Sequence, residues 1–429
     1  MVGQRSDVGP ATAGGGLVVS LAHGNPQRSL TVVDLVLFTV MGLFGILLSQ
    51  LDSFGLDVGW SLLVFSHLVL SVSPRNPVHM MFLVGLSTFI YFPAIANSYV
   101  YDTGFELFYL SAFVGIFFLY WTRGLLHEQQ VQPVQGAFVL FFWMSVGIMV
   151  ASFVRPELVA GVFAIYSMLF AMSLGSRSWA GNVRALIIFA SVFTTYALLG
   201  WGGFGRTVLV GWLLVVLLYY TYASGRLPSR LLFAFLPPLG VFFLASRDLF
   251  SVEYAGLDVV LNDSAFGPYR LASGFVAHSV ENGVDFSGFW DQVVFVLFVY
   301  VPRDWWPSKP YGFGFEYTVE NLGQGLVEAG HSVAATFIGE HLYYLGHWGI
   351  LSGLAMALAV AVFMRFVHGL KGLHGNGLVV IAASVPVLVW GGMSSFAARI
   401  ALPVILLFGV LAVARFLSTR TVGEVRQQL

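Results

Sequence analysis

The sequence predicts an all-α polytopic membrane protein with one large exterior loop and about twelve transmembrane helices. Of its 429 residues, 58% are hydrophobic and only 10% are charged, a balance far outside that of soluble domains. Apolar runs of roughly 20 residues, the length that crosses a hydrocarbon core, recur along the chain. A helix pairs its backbone polar groups internally, as lipid requires. These observations predict helices as the spanning elements.

The predicted spans are approximate at their ends and cover most of the chain. They are Leu30–Gln50, Val58–Val72, Val78–Ala96, Phe105–Thr122, Pro133–Phe153, Glu157–Leu174, Val183–Gly200, Thr207–Ala223, Leu231–Ala245, Trp348–Phe366, Gly377–Ser394 and Ile400–Leu417. The second and ninth are short. Pro237 and Pro238 remove backbone hydrogen bonds within the ninth, which predicts a kink or a break there.

These spans divide the chain into five segments. We expect a disordered cytoplasmic tail at 1–29, transmembrane helices 1–9 at 30–245, an exterior loop at 246–347, helices 10–12 at 348–417 and a cytoplasmic tail at 418–429. Most of the 20 Lys and Arg residues fall on the side of the termini, and loops rich in these residues face the cytoplasm. Both termini are therefore predicted to be cytoplasmic.

Composition argues against several classes of function. The formal net charge of −1 gives no basis for a nucleic-acid partner. The chain has no cysteine, which excludes disulfides and thiolate metal sites. It contains no Walker loop, Rossmann fingerprint or HExxH helix, so nucleotide-driven chemistry and that type of zinc hydrolysis have no support. We predict neither a cofactor nor a metal.

The exterior loop is long enough to suggest a functional role. Its apolar run Val293–Val301 is too short to span and predicts an interfacial or re-entrant helix, which the aromatic and basic turn VPRDWWPSKP follows. Its tryptophans and tyrosines suit either an aromatic belt at the membrane surface or the apolar faces of sugar rings.

Cations on the exterior side are the first candidate site residues. Arg206 lies at a span mouth beside glycines that allow close approach of a ligand, although it could equally snorkel to lipid phosphates. Arg270, Arg303, Lys309 and Arg399 fall on the same side of the membrane. Guanidinium groups bind phosphate oxygens through forked hydrogen bonds. Converging on one cavity, these cations would form a pyrophosphate cradle; alternatively, each pairs with a nearby carboxylate.

The segment HSVAATFIGEHLYYLGHWG provides candidate catalytic groups. Its helical spacing can place Glu340, Tyr344 and His347 on one face. His331 or Glu340 could take a proton from an attacking hydroxyl, or His331 could be a helix cap and Glu340 an interfacial carboxylate. Metal binding by His331, His341 and His347 is a third use, but their spacing matches no familiar zinc motif.

At these residues the sequence resembles the Wzy-type polysaccharide polymerases, which polymerise oligosaccharide repeat units, and more distantly the O-antigen ligases. Three patterns carry the resemblance: GRT at Gly205–Thr207, PRxWWPxKP within Val301–Pro310, and HS…GExxYxxG…G from His331 to Gly349. Ser332 stands where the ligases would be expected to have asparagine, which favours the polymerase.

The resemblance implies a metal-independent, GT-C-type glycosyltransferase in the bacterial inner membrane, with its active site facing the periplasm. Its partners would be undecaprenyl-pyrophosphate-linked glycan donor and acceptor, membrane lipid and a possible chain-length regulator. Arg206 and Arg270 would bind the donor pyrophosphate, supported by Arg303, Lys309 and Arg399. Tyr344 would contribute to substrate binding, and His331 or Glu340 would be the general base or orient the acceptor.

Two other functions remain open from the sequence. A transporter or flippase of lipid-linked glycans would also have about twelve spans, but transporters usually carry matched broken helices in two repeats. The single proline pair at Pro237 and Pro238 has no clear counterpart in the first half of the chain. A ligase would share the site chemistry and deliver the glycan to a different acceptor.

Overall fold

A computed structural model describes residues 30–51, 53–125, 137–154, 166–167, 169–170, 173, 179–199, 217–218, 221–222, 229–246, 267–299, 301–325, 333–369 and 376–398. The predicted tails, the span Ile400–Leu417 and most of the spans Glu157–Leu174 and Thr207–Ala223 lie outside these ranges. So do Arg206, His331 and Arg399.

Within the described ranges every regular element is a helix. In chain order these are α1 (Val32–Leu48), α2 (Phe54–Ser71), α3 (Pro77–Leu86), α4 (Phe92–Tyr101), α5 (Glu106–Thr122), α6 (Ala137–Val154), α7 (Trp179–Leu199), α8 (Arg230–Ser246), α9 (Gly267–Asn282), α10 (Phe286–Leu297), α11 (Phe313–Tyr317), α12 (Thr336–Leu345), α13 (Gly349–Gly369), α14 (Asn376–Ala383) and α15 (Val385–Ala398). The all-α prediction is confirmed for this part of the chain.

Three helical runs are long and apolar enough to cross a membrane: Phe54–Ser71, Pro77–Tyr101 and Thr336–Gly369. Several shorter apolar helices accompany them, among them α1, α5 and α10. This composition is that of a membrane protein. The number of crossings, their orientation and the GT-C architecture remain predictions.

Helix α3 lies at the centre of the packing, with all of its residues buried. Asn76 caps its first turn and also donates to the carbonyl oxygen of Thr122 on α5, 2.8 Å away. Glycines permit close approach on two sides: a β-carbon on Gly85 would lie 2.9 Å from Cβ of Val389, and Gly115 of α5 faces the ring of Phe82. Small residues at such contacts let helices pack closely without water.

Prolines lie inside two of the helical runs, and they affect the two helices differently. A π-helical turn, Ser87–Tyr91, joins α3 to α4, and the sequence analysis did not predict it. Pro93 follows directly, and a proline inside a helix removes one hydrogen bond and clashes with the carbonyl four residues earlier, which a wide turn relieves. By contrast, α8 continues through Pro237 and Pro238, so of the two predicted alternatives, a kink or a break, the break is absent.

The predicted exterior loop is largely helical where it is described. Helix α9 packs against α12, as does α10. Of the run Val293–Val301, in which a short helix was predicted, α10 covers Val293 to Leu297, and an interfacial or re-entrant position stays a prediction. The predicted boundary between residues 347 and 348 falls inside the apolar run Thr336–Gly369. That run therefore joins the candidate chemistry directly to a candidate membrane crossing.

Candidate functional site

Helix α12 borders two cavities of different chemistry. One, of about 440 Å³, is lined by polar and aromatic side chains: Arg270, Phe275, Tyr317, Asn321 and Tyr343. The other, of about 320 Å³, is lined mainly by apolar side chains of α10 and α13 and receives Glu340 and His341 from α12. We refer to them as the polar cavity and the apolar cavity.

In the polar cavity, Arg270 combines a cation with an aromatic wall. Its side chain is exposed, and its guanidinium lies 3.9 Å from the centre of the Tyr101 ring, a cation–π contact that orients the guanidinium. Phe275, Tyr317 and Tyr343 form a cluster in which ring centres are 5.0 to 5.6 Å apart. The described lining of the cavity therefore places a guanidinium beside adjoining ring surfaces.

In the apolar cavity, Gln292 links α11, the turn that precedes it and α15 to α10. Its Oε1 accepts hydrogen bonds from the backbone N–H of Phe313, at 2.6 Å, and from Oγ of Ser394, at 2.9 Å. Its Nε2 donates to Oε2 of Glu316 at 2.9 Å and to the carbonyl oxygen of Tyr311 at 3.1 Å. All four hydrogen-bonding positions of the amide are thus occupied, which fixes Gln292 in place.

Glu340 is buried and faces α15. Its Oε2 lies 3.1 Å from Oγ of Ser394 and accepts from the backbone N–H of the same residue at 3.3 Å. The close approach depends on Gly392, where a β-carbon would lie 2.6 Å from Cδ of Glu340 and where φ is +71°. A residue without a side chain is therefore required at this point of α15.

His341 follows Glu340 and points its ring toward α13. Its Nδ1 lies 2.8 Å from Oγ of Ser352, and its Nε2 is buried without a hydrogen-bond partner among the described residues. The side chain is 7% exposed and lines the apolar cavity. A buried polar atom that has no partner is uncommon in native structures and often marks a functional position.

Tyr344 connects the apolar cavity to α11. Its hydroxyl donates to Oε2 of Glu316 at 3.0 Å. Burial is the largest cause that raises the pKa of Glu316 above its ordinary value; the charges of Glu320 and Asp291 raise it further, and the hydrogen bonds from Tyr344 and Gln292 oppose this. Glu316 thus favours its neutral form more than an exposed carboxyl does.

Arg303 and Lys309 support the turn that follows α10. Arg303 donates to the carbonyl oxygens of Lys309 and Pro310, at 2.6 and 2.9 Å, and its guanidinium lies 3.5 Å from the centre of the Tyr311 ring. Nζ of Lys309 donates to the carbonyl oxygens of Val299 and Val301, at 3.2 and 2.7 Å. Burial, followed by repulsion from Arg303, lowers the pKa of Lys309. Their donors are directed at backbone oxygens of the turn.

The structure brings some predicted site residues together and separates others. Glu340 and Tyr344 both line the apolar cavity, as their spacing on one helix predicts. His347 is exposed and lies beyond the helix, because Gly346, at a φ of +58°, ends α12. Arg270 lines the polar cavity and so does not share a cavity with Glu340.

Gln292 and Ser394 were missed by the sequence analysis. Gln292 interrupts the apolar run of α10 next to Asp291, and a polar residue on the buried face of a short amphipathic helix is a signal that could have identified it. Ser394 carries no comparable signal, because serine is common in membrane helices.

Among the described residues, no three His, Asp or Glu side chains converge as a metal site would require. Comparison of the chain with protein-family models, with curated proteins and with solved structures found no match. The chemistry of the two cavities is therefore the basis for assigning a function.

Proposed function

We propose that this chain is a metal-independent membrane glycosyltransferase. In this proposal it joins undecaprenyl-pyrophosphate-linked oligosaccharide repeat units into a surface polysaccharide at the outer face of the bacterial inner membrane. The observation that carries the proposal is the polar cavity, in which the Arg270 guanidinium lies beside an aromatic cluster. The GRT, PRxWWPxKP and GExxYxxG patterns of the sequence support the same function.

The polar cavity suits a charged glycan. A guanidinium binds phosphate oxygens through two parallel hydrogen bonds and keeps its charge at any physiological pH. The rings of Phe275, Tyr317 and Tyr343 offer apolar faces to the C–H surfaces of sugars, and Asn321 adds an amide. A volume of about 440 Å³ falls in the range of small-molecule sites.

The reaction proposed here is a displacement at the anomeric carbon of the donor glycan. The acceptor hydroxyl oxygen forms the new glycosidic bond, and the bond to pyrophosphate breaks with its electron pair leaving on the phosphate. Negative charge develops on that leaving group, so a preplaced cation such as Arg270 stabilises the transition state. The acceptor proton passes to a base, for which His331 is a candidate; Glu340, the other candidate from the sequence, lines the apolar cavity and not the cavity of Arg270.

The test uses the full-length protein in liposomes with lipid-linked repeat units. Arg270→Gln should reduce polymer formation by on the order of a hundredfold, the loss that follows removal of one transition-state donor. Arg270→Lys should restore part of the activity, because it returns the charge without the fork. The matched control is Arg184→Gln, which removes an exposed arginine of α7. Undiminished polymer in Arg270→Gln would overturn the proposal.

A second candidate function is transport of lipid-linked glycans. It is favoured by Glu340 and His341, two adjacent ionisable residues buried within the candidate membrane crossing Thr336–Gly369, because such residues often form proton relays in transporters. The same liposomes distinguish the two functions. Longer glycans identify the polymerase, whereas unreacted substrate that crosses the bilayer identifies the transporter.

A further inference from the structure

Three side-chain oxygens lie in a row at the wall of the apolar cavity. Oε2 of Glu340 is 3.1 Å from Oγ of Ser394, and Oγ of Ser394 is 2.9 Å from Oε1 of Gln292. With a proton between the two oxygens, the 2.9 Å separation is an ordinary hydrogen bond and the 3.1 Å separation is a long one. The two contacts therefore require two protons.

The orientation of the Gln292 amide follows from its neighbours. The atom assigned as Oε1 faces the N–H of Phe313, which can only donate. The atom assigned as Nε2 faces the Tyr311 carbonyl oxygen and the Glu316 carboxyl, which accept. A flipped amide would oppose donor to donor at Phe313 and acceptor to acceptor at Tyr311. The atom that Ser394 approaches is thus the oxygen, which supplies no proton.

The number of protons available at the two contacts defines the protonation state of Glu340. The Ser394 hydroxyl has a single proton, and the contact with Gln292 uses it. In the contact between Ser394 and Glu340, the proton must therefore come from the Glu340 carboxyl, because the two oxygens would repel each other if no proton lay between them. The N–H of Ser394, which also points at Oε2 of Glu340, is compatible with this state because a protonated carboxyl oxygen still accepts.

We infer that Glu340 is a neutral carboxylic acid in this structure, and that Gln292 is the positioning residue that keeps it neutral by engaging the only proton of Ser394. A carboxylate at Glu340 would instead draw the Ser394 hydroxyl toward itself and leave Ser394 and Gln292 with facing lone pairs.

A neutral Glu340 has a consequence for glycosyl transfer, and that consequence rests on the proposed function. A Glu340 that holds its own proton does not take one from the acceptor hydroxyl. The base of the proposed transfer is then a different residue, for which His331 is the remaining candidate. The inference about the proton itself needs no substrate, so it can be tested separately from the glycosyltransferase activity.

The experiment is labelling of the purified full-length protein with dicyclohexylcarbodiimide, an apolar reagent that adds to a carboxylic acid and not to a carboxylate. Site occupancy at Glu340 is measured by mass spectrometry across a pH series. Wild type and Ser394→Ala should both be labelled near neutral pH. Glu316, His341 and Tyr344, the titratable groups nearby, are not substituted in any variant, and the loss of the Gln292 hydrogen bond to Glu316 is common to both variants that carry Gln292→Met.

The decisive variants are Gln292→Met and Gln292→Met/Ser394→Ala. Methionine keeps the length of the side chain but frees the Ser394 proton to bond a carboxylate, which should raise the ratio of ionised to neutral Glu340 about tenfold. Half-loss of labelling should then occur about one pH unit lower. In the Ser394→Ala background, where no hydroxyl proton is left to be freed, adding Gln292→Met should leave the midpoint at that of Ser394→Ala, which a general loosening of the site would not do.

A Gln292→Met midpoint equal to that of wild type, or a double variant whose midpoint lies as far below that of Ser394→Ala as Gln292→Met lies below wild type, would overturn the inference. If the variants do not fold, infrared spectra of wild type and Glu340→Gln still decide it. The difference spectrum should contain the C=O stretching band of a protonated carboxylic acid, and a spectrum with carboxylate bands alone would contradict a neutral Glu340.

Discussion

The hydroxyl of Tyr344 donates to Oε2 of Glu316 at 3.0 Å, across 28 positions of the chain. The same oxygen accepts from Nε2 of Gln292 at 2.9 Å, so Glu316 joins α11 to both α10 and α12. These contacts lie between the two cavities, because Tyr344 lines the apolar cavity and Tyr317, next to Glu316 in the chain, lines the polar cavity. The position of α12 relative to the polar cavity thus depends on this carboxyl.

Tyr344→Phe should lower the free energy of unfolding by about 1–2 kcal/mol. The ring and its packing remain, but Glu316 loses one of its two side-chain donors at a partly buried position. Chemical unfolding in detergent micelles measures the change. Tyr99→Phe is the control, because Tyr99 is 73% exposed and should change stability by a few tenths of a kcal/mol at most. Equal effects of the two substitutions would contradict the role given to the Tyr344 hydroxyl.

Glu316 should make stability depend on pH. Because burial raises its pKa in the folded protein above the ordinary value of 4.5, the folded state binds the proton more tightly than the unfolded state does. This contribution is fully present below pH 4.5 and is lost as the pH rises through the raised pKa.

Glu316→Gln keeps a neutral side chain at every pH and should remove that part of the pH dependence. Unfolding curves at a series of pH values compare it with wild type and with Asp304→Asn, which changes an exposed carboxylate. If Glu316→Gln and Asp304→Asn have the same pH profile, the raised pKa of Glu316 is not the cause of the wild-type dependence.

Arg303→Lys should loosen the turn after α10 even though it retains the positive charge. Lysine cannot donate to the carbonyl oxygens of both Lys309 and Pro310 in the geometry of the guanidinium, nor stack on Tyr311 as a planar group. The amide of Trp305, which donates to the carbonyl oxygen of Pro302 at 3.1 Å, should exchange roughly tenfold faster with solvent.

Hydrogen exchange of peptides that cover residues 301–310, without substrate, measures this effect. Asp304→Asn in the same turn is the control and should leave exchange unchanged. If Arg303→Lys leaves exchange unchanged but reduces polymer formation, Arg303 acts on the substrate, as the sequence resemblance implies, and not on the turn.

Several helices are predictable from the sequence because apolar run length is a strong signal in a membrane protein. The predicted span Phe105–Thr122 corresponds to α5, Glu106–Thr122. The predicted helix boundaries are less accurate where a polar residue is buried inside a helix. Helix α2 begins at Phe54 and includes the buried Asp57, whereas the predicted span began at Val58 because the carboxylate interrupted the apolar run.

Only the part of the candidate site that lies on one helix was predictable from the sequence. The spacing of Glu340 and Tyr344 on one helix placed them together, as the structure confirms. Their partners Gln292 and Ser394 lie far away in the chain, and hydrogen bonds between distant elements leave no periodic pattern in the sequence. The division of the predicted site into a polar and an apolar cavity depends on the same long-range packing.

Gly392→Ala should lower the free energy of unfolding by more than the cost of backbone strain at this position alone. Its φ of +71° costs an L-residue about 1–2 kcal/mol, and the new β-carbon would also lie 2.6 Å from Cδ and 2.7 Å from Oε1 of Glu340. Gly283→Ala is a matched control, since Gly283 has a φ of +76° and no neighbouring atom within 4 Å of the added β-carbon. The difference between the two variants isolates the contact with Glu340.

Replacing Glu340 with alanine should remove the difference in stability between Gly392→Ala and Gly283→Ala. In Gly392→Ala/Glu340→Ala the carboxyl that the β-carbon meets is absent, so the cost of Gly392→Ala should fall to that of Gly283→Ala, and the two substitutions should be non-additive. Chemical unfolding of the single and double variants completes the cycle. Additive effects would mean that α15 moves away from α12 to make room, and that the contact between Glu340 and Ser394 does not constrain the two helices.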